Sequence, residues 1–110
     1  MNASLEATAL MRRVQSEGGS ATLLRRGDFE RGSLMLIVTS RSRHICCLQR
    51  QLNLSSGNYS WNQFGPSENA DSQEVARFLL DQARFDPDLW QIELDVPSPE
   101  RFIAETNIAG

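Results

Sequence analysis

Phe85-Asp86-Pro87-Asp88-Leu89-Trp90-Gln91-Ile92-Glu93-Leu94-Asp95-Val96 is the stretch that decides the fold. Trp90, Ile92, Leu94 and Val96 alternate with Gln91, Glu93 and Asp95. That period of two marks a strand with one buried face and one polar face. Pro87 has no backbone N–H and biases Asp86 away from helical angles, so a helix upstream must end near Arg84. The stretch is a hinge. It stops a helix and sets which face of a strand points inward.

Upstream of the hinge, Asp71 followed by Glu74 has the form of a capping box. Val75, Phe78, Leu79 and Ala83 then give one apolar helical face over residues 72–84. Downstream, Pro97-Ser98-Pro99 stops the strand. Ser98 suits an N-cap, Pro99 the first helical position and Glu100 the positive helix end, so a short last helix follows, anchored by Phe102 and Ile103.

The N-terminal half opens with a helix over residues 3–17, striped by Ala7, Leu10, Met11 and Val14 and stopped by Gly18-Gly19. Four strands are then expected. They run from Ala21 to Arg26, from Ser33 to Thr39, from His44 to Leu52 and from Tyr59 to Phe64. The second is apolar almost throughout, the mark of a central strand buried on both faces. Turns lie at Gly27 to Gly32, Ser40 to Arg43 and Ser55 to Asn58. The expected fold is α+β: an N-terminal helix, a four-strand antiparallel meander, a helix, a fifth strand and a short C-terminal helix.

The chain has 110 residues, enough for a single domain (1–110) that needs no disulfide or metal to fold. No run of about 18 apolar residues and no signal-like N-terminus is visible, so a cytoplasmic protein is expected, without a membrane span. Residues 1–50 carry eight Arg and four acids, and residues 51–110 three Arg and ten acids. A basic half raises the question of nucleic acid. The plainer reading is that two oppositely charged halves face each other within one fold.

Two stretches carry a family likeness. One is Leu10-Met11-Arg12-Arg13-Val14-Gln15, then Gly18-Gly19, then Leu24-Arg25-Arg26-Gly27-Asp28 with Gly32. The other runs RFDPDLWQIELD from Arg84 to Asp95, followed by Glu100-Arg101-Phe102. Together they resemble the small alphaproteobacterial family catalogued as domain of unknown function 1491, over nearly the whole chain. The resemblance implies a compact bacterial domain of about this length. It supplies no catalytic residue.

Each candidate site has a plainer reading beside it. Cys46 and Cys47 are adjacent in a strand, point to opposite faces and suit packing better than a disulfide. Two Cys and one His, His44, are too few for a four-ligand zinc site, and no metal or other cofactor is expected. His44 and Cys46 would sit about 7 Å apart on one strand face, too far for a nucleophile pair. Asp86 and Asp88 read as turn chemistry, and Glu93 and Asp95 as the wet face of a strand. A special role for Asp86 or Asp88 would be a bond to Arg25, Arg26 or Arg84. Arg26-Gly27-Asp28 spells an adhesion tripeptide, but Gly27 is better explained by a backbone of positive φ. Tyr59 and Trp61 with Arg25, Arg26, Arg41, Arg43 and Arg50 could stack and bind a nucleic acid. The turns that hold those Arg residues lie at opposite ends of one strand, about 20 Å apart, which argues against one patch.

The favoured function is a non-enzymatic module that acts through protein contacts, with itself or with another protein. Nucleic-acid binding is the alternative, and a hydrolase or transferase using Asp86, Asp88 and His44 the third reading. The functional surface expected is Arg25, Arg26, Asp28, Arg84, Asp86 and Asp88. A homodimer is expected to form through the edge of the fourth strand, at Tyr59, Trp61 and Phe64, unless the terminal segment from Phe102 to Ile108 covers that edge.

Overall fold

The computed structural model describes residues 2–109. Eight elements follow in order: α1 (Ala3–Ser16), β1 (Ser20–Arg25), β2 (Leu34–Ser40), β3 (Arg43–Leu52), β4 (Tyr59–Phe64), α2 (Ser72–Phe85), β5 (Trp90–Asp95) and α3 (Pro99–Ala109). Local chemistry sets the helix ends. The Asn2 side chain accepts the Leu5 N–H and the Asp71 carboxylate accepts the Glu74 N–H, two N-caps. Gly18 takes φ +91° beyond the end of α1 and lets the chain turn back into β1.

The five strands form one mixed sheet in the order β1-β5-β2-β3-β4. The α+β class and the antiparallel run β2-β3-β4 are as expected. The difference is the place of the last strand. β5 enters between β1 and β2, antiparallel to the first and parallel to the second, so β1 does not pair with β2 and the expected four-strand meander is reduced to β2-β3-β4. The chain reaches that slot by crossing the sheet on α2, because β4 and β5 run the same way and a parallel return needs a crossover. The slot exists because residues 26–33 make a long connection between β1 and β2. Tight hairpins take about 2–5 residues.

Insertion of β5 explains the burial. β2, flanked by β5 and β3, is buried at every position. One sheet face, with Leu34, Leu36, Val38, Leu48, Trp61, Trp90, Ile92 and Leu94, packs under α1 and α3 through Ala3, Ala7, Val14 and Phe102. The other face, with Met35, Ile37 and Cys47, packs under α2 through Leu79. Cys46 belongs to the first layer and Cys47 to the second, as opposite side-chain directions require. The polar face of β5 is not wholly wet. Gln91 is buried beneath α2, and its amide donates to the Leu79 carbonyl (2.8 Å).

Trp90 locks the hinge to the connection. Its indole N–H donates to the Asp28 carbonyl (2.7 Å), and the Asp28 N–H donates to the Asp88 carbonyl (2.9 Å). Gly27 is not among the positive-φ residues, so the expectation about its backbone is corrected. Its lack of a side chain answers close packing instead. A Cβ at Gly27 or Gly32 would strike the Asp88 carbonyl oxygen and the Trp90 ring.

Two substitutions test this joint. Trp90→Ala should cost about 3–5 kcal/mol, the usual price of truncating a buried aromatic. Gly27→Ala should cost about 1–3 kcal/mol through overpacking. Urea denaturation reads both; a Gly27→Ala midpoint equal to wild type would mean the connection does not bear on Trp90.

Candidate functional site

The joint brings expected surface residues together at one end of the sheet. Asp28 and Asp88 meet through their backbones, and the Arg26 guanidinium lies 6.0 Å from the centre of the Trp90 ring. The bonds expected from Asp86 or Asp88 to Arg25, Arg26 or Arg84 do not form. The Asp86 carboxylate accepts the Asp88 N–H (3.1 Å), an Asx turn, and the Asp28 carboxylate accepts the N–H groups of Glu30 (3.1 Å) and Arg31 (2.8 Å). Local backbone donors take the Asp86 and Asp28 carboxylates instead. Arg25, Arg26 and Arg84 enter none of the ion pairs among the described residues.

Beside this joint runs a groove of about 750 Å³. Arg31 and Ser33 line it from the connection, Leu34 from the start of β2, Gln49, Arg50 and Tyr59 from β3 and β4, and Gln82, Phe85, Asp86 and Leu89 from α2 and the hinge. Two aromatics stand in solvent on its walls, Phe85 at 91% and Tyr59 at 55% exposure. Phe85 ends α2, one residue later than expected, and Asp86 leaves the helix in the extended conformation that a residue before Pro87 favours. Arg50 is held. It makes a two-pronged bond to Glu6 of α1, whose carboxylate pushes its pKa up, and lies 5.2 Å from the centre of the Trp61 ring. Arg31 is exposed and enters no ion pair among the described residues.

The expected dimer surface is largely used within one chain. Trp61 is only 7% exposed, because α3 lies over it. Asn107 of α3 accepts the Trp61 N–H (2.7 Å) and donates to its carbonyl (3.4 Å), so the outer side of β4 is capped there. Phe64 is half-buried against Phe78, ring centres 5.4 Å apart. Only Tyr59 of the three remains outward. The sequence held the signal for this in the Phe102 to Ile108 segment, but not the amide that does the capping.

His44 lies at the other end of the sheet. It pairs with Thr39 near the end of β2, whereas Trp90, two residues past Asp88, pairs with Leu34 at its start. Five strand residues at about 3.3 Å separate them. The reading that joins His44 to Asp86 and Asp88 therefore fails on distance. His44 is buried, with Nε2 against the Pro66 carbonyl (3.2 Å) and Nδ1 unpartnered. Burial, and then the nearby Glu68, push the Cys46 thiol up to about 11; burial, and then Cys46, push Cys47 up to about 12. Thiols so placed are not activated nucleophiles. Among the described residues no three His, Cys, Asp or Glu side chains gather as a metal site, and no helix is long and apolar enough to cross a membrane.

The Arg residues divide as the strand geometry demands. Arg25, Arg26 and Arg31 lie at the hinge end and Arg41 and Arg43 at the other, where Arg43 is paired with Glu68 (2.8 Å).

The family model described as a protein of unknown function, DUF1491, matches residues 1–104. The chain belongs to the DUF1491 family. A crystal structure of a DUF1491 protein from Caulobacter crescentus CB15 is 23% identical, with a TM-score of 0.76 over 89% of this chain and 90% of that one. A solution structure of a protein from A. tumefaciens is 20% identical, with a TM-score of 0.69 over 89% of this chain and 87% of that one. A comparison with curated proteins finds no match. What the DUF1491 structures share with this chain is the fold.

Asp95, expected only as part of a wet face, has a structural task the sequence did not reveal. Arg41 (φ +53°) and Ser42 (φ +64°) form the two-residue turn between β2 and β3 in a left-handed conformation that favours Gly and Asn. From β5, the Asp95 carboxylate accepts the N–H groups of Arg41 (3.2 Å) and Ser42 (2.9 Å) and the Thr39 hydroxyl (2.8 Å). Burial raises its pKa, but these three bonds outweigh burial and hold it below the ordinary value. A lowered carboxylate contributes stability above the ordinary carboxylate range and loses it as pH falls through the folded value. Asp95→Asn should therefore cost about 1–3 kcal/mol at neutral pH. The gap to wild type should narrow below about pH 4. Chemical denaturation across pH reads this; a gap independent of pH would refute it.

Proposed function

We propose that this DUF1491 chain is a non-catalytic protein-interaction domain, and that its working surface is the groove at the hinge end. The carrying observation is Phe85, almost fully exposed on the rim of a groove whose opposite wall presents Tyr59. A large apolar ring held in water at a rigid helix end gains by being covered. Aromatic and Arg side chains are also the residue types that anchor interfaces. Arg31 supplies a cation without an ion-pair partner beside them. The occupant that fits is a segment of another protein with an apolar side chain for the aromatic walls and a neighbouring carboxylate for Arg31. Nucleic acid is not favoured, because the Arg residues are split between two ends and acidic residues stand among them.

Peptides displayed on phage and selected on the wild-type protein test the reading. Selected sequences should combine an aromatic or aliphatic residue with Asp or Glu. Phe85→Ser should weaken their binding roughly tenfold or more. The melting temperature should not change, since the ring is exposed. Arg31→Glu should remove the preference for an acidic neighbour. Selection that ignores both substitutions would place the binding surface elsewhere.

A further inference from the structure

We infer that two copies of this chain join edge to edge through β1, about a two-fold axis, to form one continuous sheet. The inference stands apart from the groove and rests on the two sheet edges being unlike each other. β4 is covered by α3 and capped by Asn107. Among the described residues, β1 ends the strand order and pairs only with β5. Among the described residues, no backbone hydrogen bond from a loop or cap reaches Ser20–Arg25. Alternate residues of such a strand hold their N–H and C=O groups toward solvent.

The edge also lacks most of the usual guards. It carries no Pro, no Lys and no inward charge, and its one irregularity falls after Leu23, leaving Ser20 to Leu23 in regular register. Leu23 is 36% exposed and Leu24 44%. Leu23 pairs with Ile92, so it lies on the sheet face that packs under α1, and a second copy would continue that apolar layer.

Charge favours a second copy over a different partner. The chain entering β1 carries Glu17, and the chain leaving it carries Arg25 and Arg26. Strands paired about a two-fold axis are antiparallel. An axis through Ala21 sets Ser20 against Thr22 of the other copy and turns the Glu17 end of each copy toward the Arg25 and Arg26 end of the other, twice by symmetry. These groups are available. Glu17 has only a loose contact with Arg13 (3.8 Å), and Arg25 and Arg26 are exposed without an ion pair among the described residues.

Sedimentation equilibrium between about 5 and 200 μM brackets the affinity expected of a small interface. The wild type should pass from monomer to dimer in that range. Leu24→Lys and Glu17→Arg should each raise the dissociation constant at least tenfold. Arg25→Glu with Arg26→Glu should restore the dimer of Glu17→Arg. Tyr59→Ser, on the other edge, should change nothing. Hydrogen exchange on the wild type needs no substitution: amides of residues 20–25 should gain protection with concentration, and those of residues 59–64 should not. A protein monomeric at the highest concentration would overturn the inference. So would a dimer that ignores the β1 changes, or one lost with Tyr59→Ser.

Discussion

The indole of Trp90 holds the structure's central joint. Its ring packs against Gly27 and Gly32 of the connection from β1 to β2, and its N–H donates to the Asp28 carbonyl. A buried indole N–H without an acceptor is costly, so the bond and the burial of Trp90 depend on each other. Through it the hinge, the connection and the slot for β5 are fixed together. With β5 in the slot, β2 becomes central, both sheet faces need cover, and α1, α3 and α2 supply it.

That arrangement also distributes what the molecule can offer a partner. The hinge end keeps two aromatics in solvent, Phe85 at the last position of α2 and Tyr59 at the start of β4. The far end spends its polar groups internally: Asp95 supports a strained turn, and His44 is enclosed by the Pro66 loop. The two sheet edges divide in the same way. α3 closes one with a single amide and leaves nothing for the other. The proposed contact at the groove and the proposed pairing at β1 thus use separate parts of the molecule.

Much of this was legible from residues alone. Period-two alternation placed β5 and its apolar face, the apolar run identified β2 as central, and caps and Pro residues bounded the helices to within a residue or two. Strand order was harder, because pairing is non-local and alternation names a face rather than a neighbour. The clue was the length of the 26–33 connection, too long for a hairpin and wide enough to admit a strand. Of the functional surface expected from the sequence only Asp86 lines the groove, and Phe85 and Arg31, on which the proposed contact depends, were not among the residues expected there. Asp28 and Asp88 do converge, yet through a backbone bond that no residue type announces, whereas the Asx turn at Asp86 was readable as turn chemistry. Arg41-Ser42 lacks the Asn-Gly signature of its turn, since the support comes from Asp95 on another strand. The glycines of the connection were misjudged because close approach and positive φ leave the same letter in a sequence.

Hydrogen exchange of the Trp90 indole N–H tests the central joint most directly, because that proton is the bond itself. If the joint fixes the slot for β5, the indole proton exchanges only when the whole domain unfolds, with the free energy of global unfolding obtained from denaturation. Exchange as fast as that of exposed loop amides, with the global stability intact, would show that the connection opens freely and that β5 is held without it.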